Sequence, residues 1–182
     1  MQTEIIIAGF GGQGVLFAGQ LLAYSAMDYG LEVTWIPSYG PEMRGGTANC
    51  TVIISDEEIG APMVNHPTVA MAFNRPSLDK YEGLVKAGGV LVVNSSMVDR
   101  PVKRTDVTVI LLPASEIAER IGEKRLTNMV MLGALLANLP VLPVEAVEQA
   151  ISEHTPVRHH RFIPLNLRAI REGAGYIIEK VK

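Results

Sequence analysis

The glycine-rich turn 9-GFGGQG-14 follows the apolar run 5-IIIA-8 and strongly constrains how this chain folds. A short β-branched run that ends at a glycine predicts a buried strand. The segment from about Gly12 to Tyr29 then has small and apolar residues at helical spacing, which predicts a helix. The spacing G-x-G-x-x-G also fits a dinucleotide-binding turn, because backbone N–H groups at a helix N-terminus attract phosphates.

Strand and helix patterns alternate along the rest of the chain. Six short apolar runs predict strands, at 4–8, 31–36, 48–54, 68–73, 90–94 and 107–112. Helical patterns are found at 12–29, 77–86, 113–121, 128–139, 144–152 and 165–172. We therefore expect an α/β fold: a single Rossmann-like open, mostly parallel sheet flanked by helices, with a helical C-terminal third, in one domain over residues 1–182. Pro37 is expected to end the second strand, and Gly30 to adopt the left-handed conformation after the first helix.

A dinucleotide site needs a second feature that this chain lacks. The full fingerprint places an Asp or Glu about 20 residues further on, at the end of the second strand, where it binds the ribose hydroxyls. That strand end is 35-WIPS-38, with no carboxylate and no arginine. The glycines can equally form a tight crossover that solves a packing problem, or an anion site for a different ligand. The glycine pattern alone also leaves an alternative function, a free-standing nucleotide-binding domain that acts as a dehydrogenase or a sensor.

The loop 37-PSYGPEMRGGTANC-50 is the second unusual feature. Arg44 beside Gly45-Gly46 can offer a guanidinium fork next to free backbone donors, an arrangement suited to a carboxylate or a phosphate. Tyr39 can supply a hydroxyl or a stacking face. The alternative is a surface loop with an internal pair between Glu42 and Arg44.

Composition narrows the classes of function. The net charge of −3 argues against a nucleic-acid partner, since such proteins normally show a basic excess. No apolar run approaches the roughly 18 residues that span a bilayer, so we expect no membrane partner and a cytoplasmic protein. The only cysteine, Cys50, is expected to be a small core residue. One cysteine cannot hold an iron–sulfur cluster, which typically needs about four.

Taken together, the two loops resemble a known family. The combination of 9-GFGGQGV-15 with 37-PSYGPEMRGGTANC-50 is similar to the gamma subunit of 2-oxoacid:ferredoxin oxidoreductases, the pyruvate/ketoisovalerate gamma domain family. The segment 127-TNMVMLGAL-135 is similar as well, so the resemblance covers nearly the whole chain. The pyruvate branch typically carries His and Arg ahead of its GGQG, where this chain has 8-AGF-10. This difference favours the 2-oxoglutarate or broad 2-oxoacid branch.

The resemblance implies a reaction and a set of partners. In this family a 2-oxo acid is decarboxylated on thiamine diphosphate, electrons pass through iron–sulfur clusters to ferredoxin, and the acyl group passes to coenzyme A. This chain has neither a thiamine diphosphate motif nor the cysteines for a cluster, so it is expected to bind no cofactor itself. Thiamine diphosphate, Mg²⁺ and [4Fe-4S] clusters are expected in the alpha, beta and possible delta subunits, with ferredoxin and coenzyme A as partners of the complex.

The candidate site residues come from the two loops and have a cofactor-binding or active-site-facing role. They are Gly9, Gly11, Gly12, Gln13, Gly14, Tyr39, Glu42, Arg44, Gly45 and Gly46. No catalytic residue and no metal site is assigned to this chain. His154, His159 and His160 lie in the segment 154-HTPVRHHRF-162, but adjacent histidines on a helix point about 100° apart and are poor co-ligands. That segment is expected to be a solvated or interface-lining basic loop.

Overall fold

A computed structural model of the chain describes residues 1–40, 46–139 and 141–178. The strands in these ranges are β1 (Gln2–Phe10), β2 (Glu32–Tyr39), β3 (Thr47–Ser55), β4 (Val69–Ala72), β5 (Val90–Asn94) and β6 (Thr108–Leu112). The α-helices are α1 (Val15–Asp28), α2 (Arg75–Tyr81), α3 (Ala114–Ile121), α4 (Thr127–Asn138), α5 (Val144–His154) and α6 (Ile163–Ile178). Short 3-10 helices span Glu82–Leu84, Lys124–Leu126 and Val157–Phe162.

The six strands form one sheet in the order β2-β3-β1-β4-β5-β6. The pairs β1/β4, β4/β5 and β5/β6 are parallel, whereas β3 is antiparallel to both β1 and β2. Five strands therefore run in one direction and β3 runs against them. The α/β fold and the mostly parallel sheet are confirmed. The sheet is mixed because β3 is antiparallel to both of its neighbours. Only residues 40–46 separate β2 from β3, and strands joined by so short a connection pair antiparallel.

The second strand is longer than the sequence predicted. β2 continues through Pro37 to Tyr39, with Pro37 opposite Cys50 in the register with β3. The expectation that Pro37 ends this strand is wrong. β2 lies at the edge of the sheet, where a proline is tolerated because one side of the strand needs no partner for its N–H groups.

The two faces of the sheet are covered unequally. A large apolar core joins side chains such as Ile5 and Val52 on one face to α1, α3, α4, α5 and α6. A smaller core on the other face includes Ile6 and Leu91, which pack with Leu78 and Tyr81 of α2. The helical C-terminal third therefore adds layers to one face of the sheet.

Close packing of α1 on the sheet depends on the small residues that the sequence indicated. The predicted inward face, with Val15, Ala18, Leu22 and Ala26, is buried. A side chain at Gly19 would place its Cβ 2.3 Å from Cys50 Sγ, so the helix approaches β3 as closely as it does because residue 19 has none. Gly30 has φ of 82°, which confirms the left-handed residue after the helix.

Several predicted helix limits need correction. The first helix begins at Val15 and not at Gly12, because Gly12 and Gly14 adopt left-handed conformations that a helix excludes. The helix expected at 77–86 ends at Tyr81 and continues as a 3-10 turn. The basic segment expected as a loop contains the 3-10 helix Val157–Phe162.

The last helix also differs from its prediction. It spans Ile163–Ile178 and not 165–172, because Gly173 and Gly175 lie inside it and do not end it. Gly173 is buried against α4, where it permits a close helix–helix contact. Among the described helices, none has the length and apolar character that crossing a membrane requires.

Candidate functional site

The glycine turn lies at the carboxyl end of β1 and leads directly into α1. Gly12 has φ of 98° and Gly14 has φ of 73°, both in the region that favours glycine. Gly9 is constrained by packing, since a Cβ there would lie 2.6 Å from the Gln13 Oε1 and 2.9 Å from Val15 Cγ1. Gly9, Gly12 and Gly14 are therefore accounted for by backbone conformation and close packing, with no need for a ligand.

Most of the N–H groups in the middle of the turn are already used. The Gly11 N–H donates to the Gly46 carbonyl at 2.9 Å, and the Gln13 N–H donates to the Phe10 carbonyl at 3.1 Å. The Phe10 N–H donates to Gln13 Oε1 at 2.6 Å. These bonds close the turn on itself and on Gly46, so these three donors are not available to bind an anion.

Gln13 has a structural role as well as its predicted place in the site. Its Oε1 also accepts a hydrogen bond from Asn74 Nδ2 at 2.9 Å. Asn74 follows β4 and caps α2, where its Oδ1 accepts the Ser77 N–H at 3.0 Å. Gln13 therefore connects the end of β1 to the end of β4, two parallel neighbours in the sheet.

A row of buried amide side chains follows the carboxyl ends of the parallel strands. Asn74 after β4 and Asn94 at the end of β5 are 1% and 0% exposed. Asn94 Nδ2 donates to Ser115 Oγ at 3.0 Å and to the Phe73 carbonyl at 3.4 Å. Sequence reasoning missed both residues. Their signal was an asparagine directly after a fully apolar run, at the sheet edge where α/β proteins place functional groups.

The N-terminus of α1 keeps some capacity for an anion. Gly14 is its N-cap residue and provides no side-chain cap, and no acidic residue lies in the first turn. Asn128 of α4 covers one side, with its Nδ2 donating to the Gly14 carbonyl at 3.1 Å. The positive end of the helix dipole therefore lies beside α4, next to the glycine turn.

The second loop meets the glycine turn at its base. The bond from the Gly11 N–H to the Gly46 carbonyl joins the two motifs, and the Gly40 N–H donates to the Thr47 carbonyl at 2.8 Å. Tyr39 is 63% exposed, so its ring and hydroxyl face solvent. The candidate residues Glu42, Arg44 and Gly45 lie outside the described residues. The structure thus brings the two sequence motifs together through Gly11 and Gly46.

The sheet topology disfavours the dinucleotide interpretation. In a dinucleotide fold the second strand pairs directly with the first, which places its ribose-binding carboxylate beside the glycine turn. Here β3 lies between β1 and β2, so the end of β2 is two strand spacings, about 10 Å, from β1. A carboxylate at that strand end would not meet a ribose bound at this turn.

His154 contacts side chains of α1 and Glu153, and not the two histidines that follow it in the sequence. His154 Nε2 lies 2.6 Å from Asp28 Oδ2, and its ring stacks on Tyr24 with centroids 4.5 Å apart. The ligand atoms of Asp28, Glu153 and His154 lie within 4.8 Å of one another. His159 and His160 do not join this group, as expected for adjacent residues. This contact ties the end of α5 to the end of α1.

Cys50 is fully buried in the core between β3 and α1. Burial raises the pKa of its thiol to about 12, while the neighbouring Trp35 indole and Gly19 backbone act in the opposite direction. A thiol with so high a pKa is a poor nucleophile and a poor metal ligand at neutral pH. The expectation of a small core residue is confirmed.

Comparison with known proteins identifies the family. The family profile described as "Pyruvate ferredoxin/flavodoxin oxidoreductase" matches residues 4–176. The chain belongs to this family.

Relatives in the pyruvate ferredoxin/flavodoxin oxidoreductase family are of two lengths. The chain is 40% identical to ketoisovalerate oxidoreductase subunit VorA of Methanothermobacter marburgensis over 176 residues, which cover 96% of this chain and 36% of VorA. It therefore spans little more than a third of that relative. It is also 39% identical to 2-oxoglutarate synthase subunit KorC of the same organism over 189 residues, which cover all of both chains.

Solved structures of the family share the fold. The gamma subunit of a keto/oxoacid ferredoxin oxidoreductase from Geobacter sulfurreducens superimposes with a TM-score of 0.82 at 32% identity, over 95% of this chain and 96% of that one. The 2-oxoglutarate:ferredoxin oxidoreductase from Magnetococcus marinus, with 2-oxoglutarate, coenzyme A and succinyl-CoA bound, has a TM-score of 0.86 at 26% identity. The match covers 96% of this chain and 30% of that one.

Proposed function

We propose that this chain is the gamma subunit of a 2-oxoacid:ferredoxin oxidoreductase. The complex would convert a 2-oxo acid, coenzyme A and oxidised ferredoxin to acyl-CoA, CO2 and reduced ferredoxin. The observation that carries this proposal is the end-to-end match with KorC, at 39% identity over all of both chains. The Geobacter gamma subunit supports it with a fold that matches over nearly the full length of both proteins. Residues 1–182 then act as one domain of the assembly.

The chemistry of that reaction belongs to cofactors held by other subunits. Thiamine diphosphate with Mg²⁺ would supply the electron sink for decarboxylation, and [4Fe-4S] clusters would carry the electrons. Cys50 is the one cysteine of the chain, and its thiol is buried and protonated at neutral pH. We propose alpha and beta subunits as partners that hold these cofactors, with a delta subunit in complexes that contain one.

The contribution of this chain is a surface built from the two loops. The glycine turn and the base of the loop 37–50 meet at the bond between Gly11 and Gly46. We propose that this surface faces the shared active site or the path of coenzyme A, with Tyr39 and Arg44 directed at the partner subunits or the substrates. Gln13 would act indirectly, since its side chain holds the turn in shape.

The relatives favour a 2-oxo acid other than pyruvate. Those at 40% and 39% identity are named for ketoisovalerate and for 2-oxoglutarate. A common gamma subunit named for pyruvate and ketoisovalerate, from Thermococcus litoralis, is 31% identical over 158 residues. We therefore propose 2-oxoglutarate or a branched-chain 2-oxo acid as the substrate of the complex.

Co-expression with the partner subunits tests this function. The purified complex should reduce ferredoxin with coenzyme A and either 2-oxoglutarate or ketoisovalerate, while the purified chain alone should show no oxidation and no cluster absorbance. The same complex assembled without this chain is the control. A chain that stays monomeric beside these subunits would contradict the proposal. So would stabilisation by NAD or FAD, which at 100 times the dissociation constant adds about 2.7 kcal/mol.

Substitution of Arg44 tests the proposed active-site surface. Arg44→Ala in the assembled complex should raise KM for the 2-oxo acid or for coenzyme A, because a guanidinium that binds a carboxylate or phosphate contributes to substrate binding. Arg75→Ala is the control, since Arg75 lies on α2 and pairs with Asp99 at 3.0 Å. If both KM values stay unchanged in an intact complex, Arg44 does not face the substrates.

A further inference from the structure

Two adjoining cavities lie between α1, the start of α4 and the basic segment 154–162. They have volumes of about 310 and about 300 Å³ and share Phe17, Thr155 and Pro156 in their walls. Each is close to the lower end of the size range for small-molecule sites. Neither cavity is lined by Gly11 or Gly46, although Asn128, which donates to the Gly14 carbonyl, lines the second one.

The second cavity, the smaller of the two, combines apolar walls with an exposed aromatic ring. Leu126 and Phe162 line it together with Phe17, which is 49% exposed although it belongs to the first turn of a helix that packs on the core. An exposed ring beside a concave surface offers a face on which a flat apolar group can stack.

Three helices begin around this cavity. Phe17 lies in the first turn of α1, Asn128 in that of α4, and Asn166 in that of α6. None of these first turns carries an acidic residue. The N-cap positions of α1 and α4 also provide no side-chain cap. Because α4 and α6 each continue a 3-10 helix, Lys124–Leu126 and Val157–Phe162, the free positive helix end here is that of α1, which favours a negatively charged group nearby.

Side chains add positive charge to the same wall. Arg125 lines the cavity, and across residues 1–40, 46–139 and 141–178 its guanidinium has no hydrogen-bond or ion-pair partner. His159 lines it as well, next to the exposed Arg158 and Arg161. Glu123 is the one acidic residue in the described lining, and one of its carboxylate oxygens already accepts the Arg125 backbone N–H at 3.3 Å. An arginine with no partner among the described residues, close to the N-terminus of α1, is a ready partner for an anion.

We infer that this cavity binds a small organic anion, in which a phosphate or carboxylate contacts Arg125 and a flat apolar body stacks on Phe17. Asn128 Nδ2 and Asn166 Nδ2 already donate to the Gly14 and Phe162 carbonyls, so the charged contact falls to Arg125. The ligand class follows from the wall itself, which combines aromatic rings with an arginine. This inference does not depend on the proposed role of the chain in an oxidoreductase, because the site lies wholly within described residues of this chain.

Titration of the full 182-residue chain with phenyl phosphate tests the inference. Isothermal titration calorimetry should show saturable binding with one site per chain. Phenylacetate tests a carboxylate head on the same ring, inorganic phosphate tests the anion without the ring, and benzyl alcohol tests the ring without the anion. At least one of the two aromatic anions should bind about tenfold or more tightly than both fragments, since each loses either the arginine contact or the apolar contact.

Two substitutions in the cavity wall, each with a matched control, test where the aromatic anion binds. Arg125→Gln should weaken binding of the aromatic anion about tenfold, which is typical for loss of a charged hydrogen bond. Lys124→Gln, its neighbour outside the cavity wall, should leave binding unchanged. Phe17→Ala should weaken binding of the aromatic anions but not of inorganic phosphate. Met27→Ala is its control, a similarly exposed apolar side chain near the other end of α1.

Three results would overturn the inference. The first is binding of neither aromatic anion more tightly than its fragments. The second is an equal effect of Arg125→Gln and Lys124→Gln, which would indicate a general charge effect. The third is loss of binding when the chain is assembled with the partner subunits of the proposed complex, which would make this cavity a contact between subunits.

Discussion

Gln13 shows how a residue in a binding-site motif can owe its identity to the fold. Its Oε1 accepts hydrogen bonds from the Phe10 N–H and from Asn74 Nδ2, and these two donors lie at the carboxyl ends of different strands, at the same edge of the sheet. A side chain that joins a turn to a neighbouring strand end is under strong structural constraint. The structural hydrogen bonds of Gln13 therefore explain why the motif has a glutamine, without reference to a ligand.

Gln13→Ala should lower the free energy of unfolding by about 1–3 kcal/mol, because it leaves the Phe10 N–H and the Asn74 amide without an acceptor. Urea unfolding at neutral pH measures the change. Gln20→Ala is the control: Gln20 lies on α1 and donates a single bond to Tyr24 Oη at 3.2 Å, so the loss should be smaller. Equal losses for the two variants would show that Gln13 does not hold the turn in place.

Cys50 predicts a dependence of stability on alkaline pH. The unfolded thiol ionises near its ordinary pKa of 9.0, whereas the folded thiol keeps its proton up to about pH 12. Between these values the unfolded state releases a proton that the folded state retains, so stability falls as pH rises.

Chemical denaturation from about pH 8 to about pH 10.5 tests this prediction. The free energy of unfolding of the unsubstituted chain should fall relative to that of Cys50→Ala, which lacks the thiol. The native thiol should also react slowly with a disulfide reagent at about pH 8 and rapidly once the chain is unfolded. A constant difference between the two proteins across this range would contradict the elevated pKa.

Residue roles could be predicted only in part from the sequence. Gly30 and the buried face of α1 follow from local spacing, and both are confirmed. The structural part of Gln13 was not predictable, because its partner Asn74 is 61 residues away. The same limit applies to His154, whose partner Asp28 is 126 residues away.

At the scale of elements, α4 and α6 pack in direct backbone contact through two glycines. A Cβ at Gly133 would lie 2.0 Å from the Ile170 carbonyl oxygen, and a Cβ at Gly173 would lie 2.0 Å from the Val130 carbonyl oxygen. Each helix therefore presents a glycine to the backbone of the other. No side-chain adjustment can relieve either clash, because the neighbouring atoms belong to the backbone.

Gly133→Ala and Gly173→Ala should each destabilise the chain by about 1–3 kcal/mol or more, the usual cost of overpacking. Gly175→Ala is a matched control in the same helix as Gly173, since a Cβ there meets nothing within 4 Å. That variant should be neutral or more stable by about 0.5–1 kcal/mol, because alanine favours helices. Thermal unfolding of the three variants checks the order. Similar behaviour of Gly173→Ala and Gly175→Ala would rule out the close contact.

The elements themselves were largely predictable, and two of the missed element ends share one cause. Apolar periodicity located all six strands in the described residues, and 90–94 agrees with β5 at both ends. The ends of β2 and α6 were missed because Pro37, Gly173 and Gly175 normally interrupt regular structure. At an edge strand and at a close helix crossing, tertiary position removes that penalty. Rules based on neighbouring residues in the sequence contain no information about an edge strand or a close helix crossing.

At the scale of the whole molecule, the relatives show that this fold occurs both as a separate chain and as part of a longer one. KorC matches over its full length, whereas VorA is matched over 36% of its length. Residues 4–176, which the family profile matches, thus correspond to the whole of one relative and to about a third of the other. How this chain contacts other subunits is a question about the proposed complex.

A fusion tests whether the proposed partners meet this chain as they do in VorA. The chain, joined by a flexible linker to a proposed partner subunit in the order that VorA has, should give a complex with the activity of the unfused one. A tether of suitable length maintains a high effective concentration of the linked subunit and does not alter its contacts. The reverse order of fusion is the control. Ferredoxin reduction absent from the fusion in VorA order, with both parts folded, would contradict a shared arrangement.

The position of Pro37 in the open edge of the sheet has a further consequence, for self-association. An exposed edge strand is a template on which another chain can form β-structure, and proteins resist this with prolines, charges or short edges. Proline cannot donate a backbone hydrogen bond, so an added strand would meet a break at Pro37, within the strand that Glu32 begins. Partner subunits are therefore expected to bind this chain through side-chain surfaces, while fibrous aggregation by addition at β2 is suppressed.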